Sequence, residues 1–277
     1  MTVYPFVVHL GTFTITGYGI LMMVGFLVAG WIYARELTRR GLDSAIAWDT
    51  VVFAIVGGLL GSKAYYAIAS GDIAALFTRG GLVWYGGFFG GTALVFGYMW
   101  WKRLPIRVLL DSVSPSLAVG YLLGRVGCFL VNDDYGRPTD LPWGMVFPRG
   151  APPSTAANLT QIFGVTLPPG TPPDQLMAVH PTQLYEIALT FVAFWLLWRW
   201  RAHRHAAGWL FGVYLVLTSV ERIIVEVFRA KDDRIIGPVT VAQLVSVALV
   251  GLGLLLMRRH AAPEGAAPPP ATGAATA

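Results

Sequence analysis

Seven long apolar runs dominate this 277-residue chain and limit what it can fold into. Each approaches the roughly 20 residues that a helix needs to cross the hydrocarbon core of a bilayer. Charged residues make up only 13% of the chain, against about 25% in soluble domains. The pattern predicts an all-α polytopic membrane protein with about seven transmembrane helices. The runs lie at about 17–34, 47–69, 82–101, 108–131, 181–200, 209–227 and 239–257.

The basic residues alternate with these runs and predict an orientation. More than half of the 20 Lys and Arg residues follow the first, third, fifth and seventh runs. Because cytoplasmic loops are enriched in Lys and Arg, we expect an outward N-terminus and a cytoplasmic C-terminus. The net charge of +5 is then a sign of topology, and no nucleic-acid partner is expected. No Lys or Arg precedes the first run, so we expect a retained span rather than a cleaved signal peptide.

The remaining composition divides the chain into a membrane domain and a tail. Residues 1–260 are predicted to form the membrane domain, with 132–179 as an irregular outer loop or small periplasmic head. Residues 261–277, rich in Pro and Ala, are predicted to be a disordered cytoplasmic tail. The single cysteine, Cys128, excludes an intrachain disulfide. No His, Asp and Glu cluster has metal-ligand spacing, so we expect neither a metal ion nor another cofactor.

Several ionisable side chains interrupt the apolar runs near their predicted outer ends. An unpaired charge at the bilayer centre costs at least about 2.5–3.5 kcal/mol, so these groups should face one polar cavity. Arg222 and Glu226 are four residues apart and can pair on one helix face, either as a structural ion pair or to orient an anionic head group. The cations among them favour an anion such as a phosphate. The interrupting residues are Lys63, Arg125, Glu186, Arg222 and Glu226.

Two further patterns carry polar or backbone groups to the same level. Residues 180–186 place His180, Gln183, Tyr185 and Glu186 within seven positions, which indicates a site, although a lone His at an interface is often only a polar anchor. Glycines four residues apart predict close helix packing. The pair Gly86 and Gly87 could also open backbone amides to an anion.

Three segments resemble the signatures of the prolipoprotein diacylglyceryl transferase family. Residues 124–137 read G-R-V-G-C-F-L-V-N-D-D-Y-G-R, which resembles the family's G-R-x-G-N-F-x-N-x-E-x-x-G-R. Residues 180–186 match its H-P-[ST]-Q-L-Y-E, and residues 222–229 match its R-x-x-x-E-x-x-R. Tyr18 matches an early tyrosine, and Lys63 takes the Arg position of a G-x-R-x-x-Y element.

The resemblance implies a fold and a reaction. Members are seven-helix bundles with a periplasmic head in the bacterial inner membrane, multi-pass, with the active site toward the outer leaflet. They transfer the diacylglyceryl group of phosphatidylglycerol to the lipobox cysteine of a preprolipoprotein and release glycerol 1-phosphate. The expected partners are therefore phosphatidylglycerol, lipobox signal peptides and membrane lipids.

The resemblance also implies roles for residues of this chain. Arg125 and Arg222 are expected to hold the phosphate, with Glu226 orienting Arg222. Substrate-binding positions are Tyr18, Lys63, Gly86, Gly87, Arg137, Gln183, Tyr185 and Glu186.

Besides Lys63, this chain departs from the family pattern at four positions. Tyr85 stands where the family has its proposed base, a histidine, so the base is open between Tyr85, His180 and Asp133. Asp133 replaces the family's Glu, and Cys128 and Val131 replace its two Asn residues. Cys128 is predicted to be a small core residue because the reaction needs no enzyme thiol. These changes leave open a diverged paralogue acting on another lipid or acceptor. The buried Arg, Lys and Glu residues, which could line a permeation path, leave open a membrane transporter.

Overall fold

Helices form at all seven apolar runs in the computed structural model, which describes residues 1–11, 13–77, 83–230, 234–236 and 239–258. A short helix, α5, lies in the predicted head. Residue 82 of the third run, residue 259 and the predicted tail 261–277 lie outside the described residues. The helices are α1 Gly17–Arg39, α2 Ala45–Ser70, α3 Trp84–Trp101, α4 Ile106–Val131, α5 Ala156–Gln161, α6 Thr182–Trp200, α7 Trp209–Glu226 and α8 Val241–Met257.

Three of these helices, α1, α2 and α4, are long and apolar enough to cross a membrane. The 17-residue α8 is apolar but shorter. The mostly helical architecture is consistent with the predicted polytopic membrane protein. The count of seven crossings and the orientation stay predictions.

Helix α4 is central to the bundle, because it packs against α1, α6 and α7. Helices α2 and α3 form a second close pair, which contacts α1 through α2. A Cβ atom on Gly57 would lie 2.5 Å from the carbonyl oxygen of Gly90, so only glycine allows this approach of the two backbones. The predicted packing role of the spaced glycines is confirmed for this pair.

Two short hairpins, which the apolar pattern does not predict, lie next to α1 and α8. Strands β1 (Val7–Leu10) and β2 (Phe13–Thr16) are antiparallel and lead into α1. Strands β3 (Arg234–Ile236) and β4 (Val239–Thr240) precede α8. The Thr240 side chain accepts a hydrogen bond from the Gln243 amide and caps α8.

Residues 132–179 have a hydrophobic core of their own. The buried side chains of Tyr135, Phe147, Leu159 and Val179 pack together with Ala230. The rings of Tyr135 and Phe147 stack, with their centroids 5.4 Å apart. The segment is therefore a small packed head rather than an unstructured loop, and it holds the chain that follows α4 in place.

That chain is tied to the start of α6 by backbone hydrogen bonds. The amide of Gly136 donates to the carbonyl of His180 at 2.8 Å, and the amide of His180 donates to Arg137 at 2.9 Å. The amide of Arg137 also donates to the carbonyl of Phe228, just after α7, at 2.8 Å. Together these bonds bring the end of α4, the start of α6 and the end of α7 to one level.

Candidate functional site

Six charged side chains form a closed ring of alternating sign where α4, α6 and α7 meet the head. Each arginine of this charge ring lies between two carboxylates. The nitrogen-to-oxygen distances around it are 2.7 Å for Arg125–Asp134, 3.1 Å for Asp134–Arg229, 3.9 Å for Arg229–Glu226, 2.8 Å for Glu226–Arg222, 3.7 Å for Arg222–Glu186 and 3.2 Å for Glu186–Arg125. With all six ionised, the ring carries no net charge.

The positions of these side chains follow from helix geometry and from two loops. Arg222 and Glu226 are one turn apart on α7 and pair as predicted from their spacing. Arg125 and Glu186 face each other from α4 and α6, two helices in contact. Asp134 and Arg229 lie in the loops that follow α4 and α7, so their contact depends on how the head folds.

The side chains of the ring differ in how far they are buried. The side chains of Glu186 and Glu226 are only 1% exposed, whereas the Asp134 side chain is 36% exposed and that of Arg222 is 26% exposed. A buried carboxylate needs cationic or hydrogen-bonding partners to stay ionised. The two glutamates are therefore fixed between helices, and the ring opens to its surroundings beside Asp134 and Arg222.

Neighbouring polar groups support the ring. The Tyr121 hydroxyl donates to Glu186 at 3.1 Å, and the Arg125 guanidinium lies 5.0 Å from the centre of the Tyr121 ring. The Gln183 amide donates to the carbonyl of Asp133 at 2.6 Å, and the Thr182 hydroxyl donates to the carbonyl of Asp134 at 2.6 Å. Gln183 is thus brought to the site, where it supports the chain after α4.

That chain is a sharp turn with two residues in the left-handed region. Asn132 has a φ of 58° and Asp134 a φ of 62°, and Asn and Asp tolerate this conformation better than most residues. The turn aims Asp134 at Arg125, while the Asp133 carboxylate accepts a 2.7 Å hydrogen bond from the Asp134 amide.

The two adjacent aspartates have opposite electrostatic environments. Burial raises the pKa of the Asp133 carboxyl, and the charge of Asp134 raises it further. Burial alone would raise the pKa of Asp134 too, but the guanidinium groups of Arg229 and Arg125 outweigh it and lower that pKa below its usual value. Asp134 is therefore the ion-paired acid of the two, and Asp133 the better proton acceptor.

His180 lies in an aromatic cluster beside the ring. Its Nδ1 is 3.1 Å from the Tyr185 hydroxyl oxygen, which accepts a 2.8 Å hydrogen bond from Trp143. Its ring centroid is 5.1 Å from that of Phe228. Burial lowers the pKa of the imidazole, so the neutral form is favoured near neutral pH.

Tyr18 and Arg137 also reach this level. Tyr18 of α1 packs against Gly127, where an added Cβ atom would lie 3.2 Å from the Tyr18 ring. Tyr18 is also close enough to Arg125 and Asp133 to interact with their charges. The Nε of Arg137 donates to the carbonyl of Arg229 at 2.8 Å. Arg137 thereby holds the backbone of a ring member in position.

The remaining predicted residues belong to the α2–α3 pair and are not members of the ring. Lys63 lies on α2, and the Tyr85 side chain is half exposed on α3 with its ring 5.3 Å from that of Trp84. Gly86 packs against the backbone of Gly61.

The Gly87 amide donates to the carbonyl of Val83 at 3.1 Å, so α3 uses this amide within the helix. The roles of Gly86 and Gly87 as donors to an anion stay predictions.

Three residues of the site were missing from the predicted set: Asp134, Arg229 and Tyr121. Arg229 ends the quoted R-x-x-x-E-x-x-R motif, and Tyr121 is one helical turn before Arg125, so both had a signal. Asp134 had none, because its contact depends on the left-handed turn.

Cys128 is half-buried, with its Sγ 4.0 Å from Nη1 of Arg125. Within the described ranges, no group of three or more His, Cys, Asp or Glu side chains is arranged to hold a metal ion.

Comparison with known proteins identifies the family of this chain. Residues 5–259 match the family described as prolipoprotein diacylglyceryl transferase. This chain belongs to that family. Its prolipoprotein diacylglyceryl transferase relatives include a protein from Clostridium tetani, 30% identical over 91% of this chain and 96% of the relative. Relatives from Shewanella sp. (strain MR-4) and Trichormus variabilis are 31% and 30% identical over 94% of this chain, and over 96% and 92% of their own lengths. All three are named phosphatidylglycerol–prolipoprotein diacylglyceryl transferase.

Proposed function

We propose that this chain transfers the diacylglyceryl group of phosphatidylglycerol to the lipobox cysteine of preprolipoproteins and releases glycerol 1-phosphate. The observation that carries the proposal is the charge ring, which places three arginines beside a packed head in a member of this family. The names of the relatives support both substrates.

The proposed reaction exchanges one bond for another. The cysteine sulfur forms a C–S bond to the glyceryl carbon while the C–O bond from that carbon to phosphate breaks. The electron pair leaves with glycerol 1-phosphate, and the thiol proton leaves to a base. A phosphate leaving group needs cations and N–H donors, which Arg125, Arg222 and Arg229 supply.

The three predicted candidates for the base that accepts the thiol proton are Asp133, His180 and Tyr85. Near neutral pH a cysteine is mostly protonated, because its ordinary pKa is about 8.5, so a proton acceptor or a positive field must help. Asp133 lies in the turn beside the ring and has a raised pKa, which favours it over Tyr85 on α3. His180 is the alternative, because burial keeps its imidazole neutral. Loss of activity in Asp133→Asn with Tyr85→Phe active assigns the base to Asp133, whereas the reverse assigns it to Tyr85.

In the proposed topology, seven helices cross the bacterial inner membrane, with the head and the charge ring on the periplasmic side. The basic residues after α1, α3 and α6 then lie in the cytoplasm. Reporter fusions after residues 40, 103 and 203 test this, since each should report a cytoplasmic location. A periplasmic report from any of them would contradict the topology.

The activity is tested in cells depleted of their own transferase. Expression of this chain should add the mass of one diacylglyceryl unit to a reporter lipoprotein. The same reporter with its lipobox cysteine changed to serine should show no shift. An unshifted cysteine reporter, with the protein inserted and folded, would overturn the proposal and favour a reaction on another lipid or acceptor.

A further inference from the structure

Asp134 differs from the other carboxylates of the charge ring in how it is held. Its two oxygens are divided between two arginines, with Oδ2 2.7 Å from Nη1 of Arg125 and Oδ1 3.1 Å from Nη2 of Arg229. This is the arrangement in which two oxygens of one phosphate would bind two guanidinium groups. Asp134 is also the most exposed member of the ring and the one carboxylate in it that lies on a loop.

The balance of charge makes this position important for an anionic ligand. A ring of three arginines and three carboxylates has no cation to spare, so an added phosphate would gain little unless one carboxylate leaves. Withdrawing Glu186 or Glu226 would strand a charge between helices, which is costly. Asp134 can instead turn toward water, where its charge is hydrated.

Arg229 has the donors that such an exchange needs. Among the described residues, its Nε and Nη1 have no hydrogen-bond partner, although both are buried. Its remaining contacts to Glu226 and Glu186 are long, 3.9 Å and 4.0 Å. A phosphate that replaced Asp134 could therefore accept more hydrogen bonds from Arg229 than the carboxylate does.

We propose that Asp134 occupies the phosphate position of the lipid in the empty protein and is displaced when the anionic head group binds between Arg125 and Arg229. This proposal rests on the proposed function and changes its predicted phosphate site, which paired Arg125 with Arg222. Asp134 is then a specificity-determining residue, because only a ligand with an anionic group such as a phosphate can replace it between the two arginines. A lipid without a phosphate, such as diacylglycerol, would leave Asp134 in place.

The test compares lipid binding by the wild type, Asp134→Asn and Asp140→Asn, with each protein purified in nanodiscs of a neutral lipid. Asparagine keeps the shape of the side chain and tolerates the left-handed turn, while Asp140 is an exposed acid of the same loop. Removing a competing internal group raises the apparent affinity by the inverse of the fraction of time for which the site had been free. We expect Asp134→Asn to bind phosphatidylglycerol about tenfold more tightly than the wild type, with diacylglycerol binding unchanged and the Asp140→Asn protein like the wild type.

Weaker binding of phosphatidylglycerol by Asp134→Asn would overturn the proposal, because it would mean that Asp134 only positions the arginines. Tighter binding of both lipids would also overturn it, since the selectivity for an anion would then not come from Asp134. If Asp134→Asn does not fold, the wild type carries the test. Phosphatidylglycerol should then increase the labelling of Asp134 by a water-soluble carbodiimide, read by peptide mass spectrometry, and unchanged labelling would contradict displacement.

Failure of this proposal and failure of the proposed function give different results. If the wild type lipidates the reporter but Asp134→Asn binds phosphatidylglycerol no better, the displacement is wrong and the transferase activity stands. If Asp134→Asn binds more tightly but no protein lipidates the reporter, the phosphate site stands and the transfer reaction is wrong.

Discussion

Buried carboxylates near the two ends of α4 are stabilised in different ways. Near the start of the helix, the Asp111 carboxylate is fully buried and accepts hydrogen bonds from the backbone amides of Gly208 and Phe211 at 2.8 and 2.9 Å. It thereby caps the N-terminus of α7, with His203 3.4 Å away. About 20 Å along the same helix, Arg125 belongs to the charge ring, in which long side chains pair with one another.

The difference indicates which cluster can work on a ligand. Backbone amides in a helix cannot move away, so Asp111 is saturated by fixed donors and has a structural role. The arginines of the ring are held by side chains, the Arg222 side chain is 26% exposed, and Arg229 has donors to spare. A buried charge is therefore better judged by its partners than by its burial.

Arg125→Lys should cause the largest loss of activity. Lysine keeps the charge but cannot contact Glu186 and Asp134 together as a guanidinium does. Loss of a group that stabilises developing negative charge costs about 100- to 1,000-fold in rate. We expect a loss in this range in reporter lipidation by purified enzyme, and complete loss with Arg125→Ala.

The matched control for this prediction is Arg201→Lys at the other end of the bundle. Arg201 also pairs with a buried acid, Glu36, with its Nε 3.2 Å from the carboxylate, and it should leave the rate unchanged. Near-normal turnover by Arg125→Lys, or equal losses in both variants, would contradict the view that only the charge ring acts on the ligand.

Asp111→Asn should lower the stability of the protein and leave its activity unchanged. The amide NH₂ cannot accept the hydrogen bond that one carboxylate oxygen now accepts, and an unsatisfied buried amide costs about 1–3 kcal/mol. We expect a lower thermal unfolding temperature in detergent, with the rate per folded molecule retained. A variant as stable as the wild type but slower in transfer would place Asp111 in the catalytic machinery.

The contrast between the two ends also explains what could be predicted from the sequence. The helices were predictable because about 20 consecutive apolar residues leave few alternatives in lipid. The pairing of Arg222 with Glu226 was predictable because helical spacing alone determines it. Both depend on residues that belong to one continuous stretch of sequence.

The rest of the site depends on contacts between distant segments. Asp134 meets Arg125 only because residues 132–134 turn through the left-handed region, and it meets Arg229 only because the head brings two loops together. Asp111 has no signal in the sequence either, because its partners are backbone amides almost 100 positions away. The hairpins are too short for an alternating pattern to be recognised.

Tyr121→Phe should have a smaller effect than the changes to charged groups. It removes one hydroxyl that donates to Glu186, and a hydrogen bond to a charged group is worth about 1.5–3 kcal/mol. We expect the rate to fall about tenfold at constant protein concentration. Tyr98→Phe is the matched control, because its hydroxyl donates to Asp49 at 2.7 Å away from the ring. A rate equal to that of the control would show that Tyr121 only fills space.

The smallest effect should be a change in pH dependence at His180. Burial lowers its pKa in the folded protein below the value of about 6.5 for an exposed histidine. The unfolded chain therefore binds more protons than the folded protein as pH falls through 6.5, and folding stability decreases toward acid until the folded histidine is also protonated. His180→Gln should remove this part of the decrease in unfolding temperature between pH 7 and pH 5, while the Asp134 ion pairs, whose carboxyl has a lowered pKa, stay intact over that range. If the variant also flattens the pH profile of transfer on the acid side, His180 is the base; if only the stability profile changes, its imidazole serves the aromatic cluster, and Asp133 remains the better candidate.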